Sequence, residues 1–308
     1  MSDDVPFNRD FSLAPGTVDE VMPGLRRVLC GNPSPFTFTG TVTYIVGRGK
    51  VGIIDPGPDD DSHVAAVLKA VRNETVTHIL VTHTHRDHSP AAAKIKAATG
   101  APLYGEGPHR PSRPLHLGEA KRLDAGGDQD FCPDHAVADG DVIAGDGWRL
   151  EAVATPGHTR NHMAYGLGGT DILFSGDHVM GWSTTIVAPP DGSMRDYMNS
   201  LAKLQARPEQ VYLPGHGPAI RDASAYVAHL VRHREAREAA ILAALAKGEA
   251  DIPTLVKTIY VGLDPRLTGA AGLSVLAHLE DLVARGRAET EGEPSLSGRY
   301  RAAAGSGG

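Results

Sequence analysis

The sequence predicts an α/β protein in which two sheets pack face to face with helices outside, an αββα sandwich, followed by a small winged-helix domain. Two observations support this architecture. Over the first two thirds of the chain, apolar segments of strand length alternate with longer segments of helical periodicity. The last part of the chain instead has three helical segments and two short strands. We therefore predict a larger domain over residues 1–222 and a helical, winged-helix domain over residues 223–308.

The first half of the larger domain is predicted to alternate strands with helices. Val42–Val46 and Val51–Ile54 alternate or run apolar, which is typical of strands with one or both faces buried. A helix over Asp61–Val71 leads to the apolar strand His78–Thr82, and a second helix follows over Pro90–Thr99.

The second half repeats this strand-rich pattern. Strands are predicted at Trp148–Ala154, His162–Leu167 and Asp171–Phe174, and a further one at Val211–Leu213. A helix is predicted over Ser193–Gln205. Two strand-rich halves with helices between their strands fit two packed sheets.

The C-terminal residues have a different pattern. Ala225–Lys247, Ile252–Tyr260 and Gly272–Arg285 are predicted to be helices, because each is periodic or closes at a glycine. Arg287–Thr290 and Gly298–Ala302 are predicted to be short strands around a Gly/Pro/Ser turn. Three helices followed by a hairpin are typical of a winged helix.

The segment HTHRDH at residues 83–88 places three imidazoles and a carboxylate within six residues. It lies between a predicted buried strand and a helix, and strand ends in α/β proteins commonly carry chemistry. Imidazoles that become protonated repel one another, so such a cluster gains little unless a cation binds it. We therefore interpret His83, His85, Asp87 and His88 as metal ligands rather than chance surface residues.

Three more metal-capable residues occur at equivalent places further along the chain. His158, Asp177 and His216 each follow a predicted strand and are each preceded by glycine. Strands of one sheet end at one edge, so these side chains can converge although they are far apart in sequence. Imidazole with a few carboxylates suits zinc, and also iron or manganese.

The order and spacing of these residues resemble the metallo-β-lactamase superfamily, in its dinuclear hydrolase branch. The resemblance covers residues 40–220 and implies the fold and two divalent metal ions, with zinc our first choice. It also implies a metal-bridging hydroxide as nucleophile, which Asp87 would help to orient. Asp55, after another strand, is interpreted either as support for a ligand loop or as a turn residue before Pro-Gly. The ligands implied are His83, His85 and His158 for one metal, Asp87, His88 and His216 for the other, and Asp177 as the bridge.

A narrower resemblance is to the beta-lactamase-like protein 2 group, whose members carry a C-terminal winged helix. It rests on Met180–Ile186 and Met194–Leu201 and implies an endoribonuclease that prefers single-stranded RNA. His162 matches a recurrent histidine of that group, so we expect it either to act in catalysis or to bond a neighbour of a metal ligand. Thr184 and Thr185 lie in the same region and are candidate substrate-binding residues, with ordinary loop threonines as the alternative.

A polar stretch rich in glycine and proline separates the two halves at Glu106–Asp139. It is longer than in the resembled group, and we expect a loop or lid beside the site. Cys132 and His135 within it have a spacing that can hold metal, but two ligands are too few for a second site.

Composition sets limits on location and partners. Only two cysteines occur, Cys30 and Cys132, which favours a reducing compartment without a disulfide framework. No apolar run approaches the ~20 residues that span a bilayer, and the first residues do not resemble a secretory signal. We therefore expect a cytoplasmic protein with no membrane partner, which argues against a secreted antibiotic-degrading role.

The distribution of charge weakens the case for single-stranded RNA, which stays the first substrate expected from the sequence. The formal net charge is −7, and residues 221–308 hold equal numbers of basic and acidic side chains, so residues 1–220 carry the whole excess. A basic stripe is usual in nucleic-acid binders. Arg285, Arg287, Arg299 and Arg301, around the predicted wing, are the most basic cluster. Three functions therefore remain open: a phosphodiesterase acting on single-stranded RNA, a thioesterase or lactone hydrolase acting on a small ester or thioester, and a non-enzymatic regulator. Oligomeric state, including a homodimer, stays open.

Overall fold

The computed structural model describes residues 5–116, 119 and 126–303, and its first sheet has seven strands in the order β1-β2-β3-β4-β5-β6-β7. The first four strands pair antiparallel, and β4 to β7 pair parallel. The strands are Val18–Met22 (β1), Leu25–Leu29 (β2), Val42–Arg48 (β3), Lys50–Ile54 (β4), Thr75–Leu80 (β5), Leu103–Gly105 (β6) and His135–Ala136 (β7).

The second sheet has six strands in the order β13-β12-β11-β10-β9-β8. Strands β11 and β12 pair parallel, and the other neighbours pair antiparallel. The strands are Val142–Ala144 (β8), Arg149–Ala154 (β9), Met163–Leu167 (β10), Ile172–Gly176 (β11), Val211–Pro214 (β12) and Ile220–Arg221 (β13).

The main core lies between the two sheets, and the alternation of side chains along each strand produces it. In β3, Val42 and Tyr44 belong to the cluster between the sheets, whereas Ile45 belongs to the cluster on the outer face. In β9, Leu150 points inward and Val153 outward in the same way. Successive residues of a strand point to opposite faces, so each strand contributes to two cores.

Helices cover both outer faces. Asp61–Ala70 (α1) and Ala91–Thr99 (α2) pack on the first sheet, and Met194–Gln205 (α3) and the first half of Ala223–Leu245 (α4) pack on the second. Helix α1 begins at Asp60, whose carboxylate accepts hydrogen bonds from the backbone amides of the first turn. The αββα sandwich predicted from the sequence is therefore confirmed.

The C-terminal residues form a small helical unit with a three-stranded sheet of order β14-β16-β15. Its core contains the second half of α4 together with side chains of the later helices and strands, such as Leu255, Leu279 and Tyr300. This arrangement agrees with the predicted winged helix. Its elements are Ala250–Asp251 (β14), Ile252–Ile259 (α5), a 3₁₀ turn at Pro265–Leu267, Thr268–Ala284 (α6), Ala288–Thr290 (β15) and Arg299–Ala302 (β16).

One helical segment departs from the expectation that no segment could span a membrane. Among the described residues, Pro265–Ala284 has the length and apolar composition of a spanning helix, and 50% of its apolar window is buried inside the protein. Leu276, Leu279 and Leu282 from this segment lie in the core of the C-terminal unit. The same composition is expected of a buried core helix.

Helix α4 belongs to both parts of the molecule. Tyr226, Val227 and Leu230 in its first half pack with the outer face of the second sheet, whereas Ile241 and Leu245 pack in the C-terminal core. The domain boundary predicted between residues 222 and 223 falls directly before this helix. Helix α4 therefore contacts the larger domain with its first half and the C-terminal unit with its second half. The position of the domain boundary stays a prediction.

Candidate metal centre

All seven predicted ligands lie in loops at one edge of the sandwich. His83, His85, Asp87 and His88 follow β5, His158 lies between β9 and β10, and Asp177 and His216 follow β11 and β12. The structure brings them together as two groups whose donor atoms lie within 4.8 Å of one another in each group. Residues separated by more than a hundred positions therefore meet at a single site.

The first group contains three imidazoles. The Nδ1 atom of His85 lies 3.2 Å from His83 Nε2 and 2.9 Å from His158 Nε2. Three ring nitrogens that face one point at these separations suit a single divalent cation. Sequence-predicted His83, His85 and His158 form this group.

The second group contains two imidazoles and two carboxylates. His216 Nε2 lies 3.3 Å from His88 Nε2 and 3.1 Å from Asp87 Oδ2. Asp177 Oδ1 lies 3.5 Å from His88 Nε2, and Asp177 Oδ2 lies 3.3 Å from His216 Nε2. Asp177 also reaches the first group, since its Oδ2 lies 3.7 Å from His158 Nε2. Its carboxylate is therefore placed between the two groups.

Two further observations indicate that the residues fit metal ions. The Oδ1 atom of Asp177 is buried without a hydrogen-bond partner, and an orphaned buried carboxylate oxygen is costly unless a cation binds it. In addition, a Cβ atom at Gly215 would lie 2.5 Å from His88 Cε1 and 2.7 Å from Asp177 Oδ1. Glycine before His216 therefore leaves room for the second group to close around an ion.

The outward nitrogen of each ligand histidine has its own partner. His85 Nε2 lies 2.7 Å from Asp191 Oδ2, and His158 Nδ1 donates to the carbonyl of Ile186 at 2.7 Å. His216 Nδ1 faces the Gly40 carbonyl at 3.2 Å, and His83 Nδ1 faces the Thr82 hydroxyl at 3.0 Å. Such partners fix the ring orientation and keep the inward nitrogen available for metal.

Asp55 performs this function for His88. Its Oδ2 lies 3.0 Å from His88 Nδ1, and its two oxygens also accept from the Thr82 amide at 2.7 Å and hydroxyl at 2.8 Å. Asp55 thus joins a ligand ring to the strand end from which the first motif begins. Of the two interpretations made from the sequence, support for a ligand loop is confirmed.

The electrostatics keep the carboxylates charged. Burial raises the pKa of Asp87 and Asp177, but the facing imidazoles outweigh it and hold the pKa of both below the usual range. Burial lowers the pKa of His216, but Asp177 and Asp87 outweigh it and raise the pKa to about 9. Burial and the His85 ring lower the pKa of His158 to about 4. Asp87, Asp177 and Asp55 likewise raise the pKa of His88. Without a cation, the second group therefore pairs two carboxylates with two protonated imidazoles, and a cation bound there must displace their protons.

His162 lies beneath the metal ligands rather than in the cleft. Its ring is buried, its Nε2 accepts from the Asp177 amide at 3.1 Å, and its Nδ1 bonds the Thr155 hydroxyl at 2.8 Å. Both nitrogens are therefore occupied within the protein. This geometry gives His162 a supporting role for the loop that carries Asp177, close to the alternative of a histidine that bonds a neighbour of a metal ligand. Its candidate catalytic role stays a prediction.

Thr184 and Thr185 lie in the loop after Asp177. The Thr185 hydroxyl donates to the backbone carbonyls of Asp177 at 2.7 Å and His178 at 2.8 Å, so it holds the ligand loop rather than pointing into solvent. Thr184 and Thr185 both line a cavity at the boundary with the C-terminal helices. Their predicted role in substrate binding stays a prediction.

The stretch Glu106–Asp139 forms one wall beside the first motif, as expected of a flanking loop. The Arg86 amide donates to the Gly126 carbonyl at 3.2 Å, and the Asp128 amide donates to the Thr84 carbonyl at 2.8 Å. Residues 117–118 and 120–125 of this stretch lie outside the described residues. Among the described residues, the metal-capable groups include neither Cys132 nor His135.

A cleft opens on the metal ligands. It has a volume of about 400 Å³, and three apolar side chains line it, those of Phe36, Met180 and Ile186. The rest of the lining consists of four of the predicted ligands together with Ser34, Thr37, Arg86 and Gly126. Asp87 is the more open of the two carboxylates, with 27% of its side chain exposed against 8% for Asp177. The cleft therefore has an apolar wall on one side and, at the predicted ligands, a polar part that contains both carboxylates and Arg86.

Sequence reasoning missed Asp191 and Thr82 as partners of ligand rings. Asp191 lies 106 positions from His85 and occupies a Pro-Pro-Asp-Gly turn that resembles any surface turn. Its carboxylate near a ligand ring is visible only after the loops have met. Asp55 was easier to recognise in the sequence than Asp191, because Asp55 ends a predicted strand.

A sandwich of two sheets with paired His/Asp groups at one edge defines a class of metal-binding hydrolases. The chain belongs to the metallo-beta-lactamase superfamily, whose family model matches residues 36–216. The beta-lactamase associated winged helix domain matches residues 252–299, so the predicted C-terminal fold is confirmed. The predicted resemblance to the beta-lactamase-like protein 2 group is confirmed as well, and the chain is an enzyme of this hydrolase superfamily.

The relatives have several different names. The chain is 33% identical over 240 residues to a beta-lactamase-like protein 2 homolog of Caenorhabditis elegans, covering 75% of this chain and 74% of that protein. It is 30% identical over 298 residues to the lactamase-like protein adaB of Aspergillus niger, covering 90% and 86%. An atrochrysone carboxyl ACP thioesterase of Aspergillus fumigatus is 32% identical over 238 residues, covering 74% and 67%.

Solved structures agree on the fold. A beta-lactamase domain protein from Burkholderia ambifaria superposes with a TM-score of 0.76 at 22% identity, covering 96% of each chain. A metallo-beta-lactamase family protein from Thermus thermophilus gives a TM-score of 0.73 at 22% identity, covering 92% of this chain and all of that one. At this identity the similarity establishes the architecture and not the substrate.

Proposed function

We propose that this chain is a two-metal hydrolase that cleaves the thioester bond of a small acyl substrate with an apolar acyl group. The observation that carries the proposal is the apolar part of the cleft lining beside the predicted ligands, which consists of Phe36, Met180 and Ile186. Ser34, Thr37 and Arg86 line the rest of the cleft. An apolar wall beside an activated carbonyl suits an acyl chain better than a polyanionic strand. The thioesterase among the relatives supports the same class of reaction.

The metal ions are proposed to be two divalent cations, with zinc first and manganese or iron as alternatives. His83, His85 and His158 would hold one, Asp87, His88 and His216 the other, and Asp177 would contact both. When bound, such a pair supplies a hydroxide nucleophile at neutral pH and polarises the carbonyl oxygen.

The chain's own residues position the reaction. Asp87 lines the cleft, and its carboxylate can accept a hydrogen bond from the attacking oxygen and so orient it toward the carbonyl. Phe36 and Met180 exclude water from one side of the acyl group and strengthen electrostatic interactions at the carbonyl. Ile186 both lines the cleft and accepts the hydrogen bond of His158, so the acyl wall and a ligand ring are fixed together.

Single-stranded RNA, the first expectation from the sequence, is our second candidate. Three of the four arginines around the wing form ion pairs with carboxylates: Arg285 with Glu238 and Asp281, Arg299 with Glu249, and Arg301 with Glu289. Paired guanidiniums offer less positive charge to phosphates than the basic stripe on which nucleic-acid binders rely. A winged helix beside the cleft still favours testing RNA directly.

We also propose a cytoplasmic location with no membrane partner. The free cysteines Cys30 and Cys132 are compatible with a reducing compartment. Whether the chain forms a homodimer is a question for measurement of its oligomeric state in solution.

Parallel assays on zinc- and manganese-loaded protein test the proposal. The substrates are the octanoyl thioester of N-acetylcysteamine, S-lactoylglutathione, an acyl-homoserine lactone and single-stranded RNA. We expect chelator-sensitive hydrolysis of the octanoyl thioester, and Asp87→Ala should abolish it. Efficient cleavage of RNA with the thioester left intact would replace this proposal with the ribonuclease.

A further inference from the structure

A second cavity lies beside the metal cleft, on the side of the C-terminal helices. It has a volume of about 210 Å³ and shares Phe36, Met180 and Ile186 with the cleft, so the two spaces adjoin. Beyond these shared residues, Trp182 lies on its hydrolase side, and its far side is formed by C-terminal residues. The C-terminal lining residues are Tyr260, Leu263, Leu267, Ala270, Ala271 and Ser274.

Arg234 lies in the wall of this cavity, on helix α4, and is buried with only 3% of its surface exposed. Its guanidinium donates to the Thr185 carbonyl and to the Ser274 hydroxyl, and it stacks over the Tyr197 ring at 5.2 Å. Its Nε has no hydrogen-bond partner. Among the described residues, no carboxylate forms an ion pair with it. A buried cation that lacks an anionic partner is costly to fold.

The charged side chains that line the cavity are cationic. They are those of Arg9 and Arg234, and no Asp or Glu is among the described residues of the lining. The chain as a whole carries a net charge of −7. A cationic cavity without carboxylates in an acidic chain is therefore a local arrangement and not a consequence of composition.

We infer that this cavity is an anion-binding subsite, in which Arg234 binds a carboxylate or phosphate on a substrate whose apolar portion extends from the metal cleft. The inference rests on the proposed function for the orientation of that substrate. It makes Arg234 a specificity-determining residue that the C-terminal part of the chain supplies to the hydrolase site. Thr184 and Thr185 line the same cavity.

Binding to metal-free protein tests the subsite without any need for hydrolysis. The probes are octanoate, the neutral octanol and inorganic phosphate, titrated in the presence of a chelator. Trp182 lines the cavity, whereas the other of the two tryptophans, Trp148, is in the core between the sheets. Tryptophan emission and calorimetry together should therefore report occupancy.

We expect octanoate to bind at least about tenfold more tightly than octanol, because a charge-assisted bond to the guanidinium is lost with the neutral probe. Arg234→Met should remove that preference, and Arg232→Met, at a position on the same helix that does not line the cavity, should keep it. Phosphate that competes with octanoate also supports the subsite and indicates that the natural anion is a phosphate. Equal binding of octanoate and octanol, or an unchanged preference in folded Arg234→Met, would overturn the inference.

A second variant covers the case in which Arg234→Met does not fold. Ala270→Leu narrows the cavity from the C-terminal side and leaves every charge in place. This variant should bind both octanoate and octanol more weakly than the unmodified protein, and its melting temperature should be unchanged. Undiminished octanoate binding in Ala270→Leu would place the carboxylate elsewhere. Because these measurements use metal-free protein, they can fail while thioester hydrolysis succeeds, and the converse also holds.

Discussion

At the scale of single residues, the site depends on what each ligand ring bonds on the side away from the metals. Five histidines present one nitrogen inward, and each outward nitrogen meets a carboxylate, a hydroxyl or a carbonyl. The two carboxylates among these partners, Asp55 and Asp191, also raise the basicity of the rings they touch. They are therefore the outer residues whose loss should weaken metal binding most.

Asp55→Asn should lower metal affinity by about 10–100-fold. Asp55 accepts three hydrogen bonds, from the Thr82 amide, the Thr82 hydroxyl and His88. The NH₂ group of asparagine donates hydrogen bonds and cannot accept them, so the bonds made to the oxygen that it replaces would be lost. Competition with a chelating dye measures the effect. Asp59→Asn is the matched control, because that carboxylate is exposed and pairs with Lys94 at the surface. Identical affinities in the two variants would remove the role assigned to Asp55.

Gly215→Ala should prevent the second group from closing. The added methyl would lie 2.5 Å from His88 Cε1 and 2.7 Å from Asp177 Oδ1, closer than carbon atoms approach in packed proteins. Elemental analysis after dialysis should show fewer ions per chain than in the unmodified protein. Gly269→Ala, where nothing lies within 4 Å, is the control and should keep its metals. Full metal content in both would show that the loop can move aside.

The seven candidate ligands could be predicted from sequence because each directly follows a strand, and a strand end is a local pattern. The outer partners could not be predicted in the same way. Asp191 is a turn residue whose meaning comes only from its contact with His85. For His162 the sequence left two roles open, and only the folded structure shows that its buried ring accepts a hydrogen bond from the Asp177 amide.

At the scale of elements, apolar runs and alternation predicted strands such as β3 and β10, and missed most edge strands and also β2, which lies between β1 and β3. Strand β1 at Val18–Met22 is an edge strand with exposed and half-buried residues, so it lacks the apolar run that marks a buried strand. Strands β6, β7 and β8 have three residues or fewer, which is too short for a period to be recognised. Their existence follows from pairing with longer neighbours.

Arg113 connects the stretch Glu106–Asp139 to the C-terminal helices. Its guanidinium lies 2.6 Å from Glu119 within the stretch and 2.6 Å from Glu280 on α6. Arg113→Ala leaves two partly buried carboxylates without their partner, so we expect a loss of about 1–3 kcal/mol in the free energy of unfolding. Urea denaturation measures it. Arg110→Ala, which breaks a pair with Glu106 inside the same stretch, should cost less than about 1 kcal/mol.

The same ion pair gives a pH signature. The hydrogen bond from Arg113 lowers the pKa of Glu119 to about 2, from an ordinary value of 4.5. A carboxyl with a lowered folded-state pKa contributes stability above pH 4.5 that is lost as the pH falls toward 2. The stability difference between the unmodified protein and Arg113→Ala should therefore shrink over that window. A difference that stays constant from about pH 5 to about pH 3 would contradict the assignment.

Helix α4 tests whether the two parts of the chain are separable. A chain that ends at residue 222 loses Tyr226, Val227 and Leu230, which cover the outer face of the second sheet. We expect it to be insoluble, because the exposed apolar face is large. A chain that ends at residue 248 keeps that cover and should remain soluble and bind metal. A soluble, metal-binding chain of residues 1–222 would place the boundary where the sequence predicted it.

At the scale of the whole molecule, the domain order was predictable and the space between the domains was not. The winged helix has its own periodicity, but the cavity beside the metal cleft arises where Trp182 and Thr185 meet residues of α4 and α6. One of these contacts is the hydrogen bond from Arg234 to the Thr185 carbonyl, which joins residues 49 positions apart in the sequence. No local sequence pattern predicts such a contact. The third possibility, a non-enzymatic regulator, is not supported by a chain that keeps every donor of both metal groups.

Removal of the metals should lower the melting temperature of the entire molecule. A ligand that binds only the folded state at about 100 times its dissociation constant contributes about 2.7 kcal/mol. At an unfolding entropy of about 2.1 cal/mol/K per residue, about 1 kcal/mol corresponds to roughly 1.5 °C for a chain of 308 residues, so a chelator should lower the melting temperature by about 4 °C. Four loops from both sheets meet at the two groups, so the loss is global and not confined to one loop.

Scanning calorimetry with and without EDTA, followed by added zinc, measures this effect. The melting temperature should fall with the chelator and return with zinc. Asp87→Ala removes one carboxylate of the second group, so its chelator-induced shift should be smaller than that of the unmodified protein. Asp59→Asn, at an exposed carboxylate outside both groups, should show the full shift. Melting temperatures that do not respond to EDTA, in protein shown by elemental analysis to have lost its metals, would mean that the loops hold their arrangement without cations. The orphaned Oδ1 of Asp177 would then need another partner.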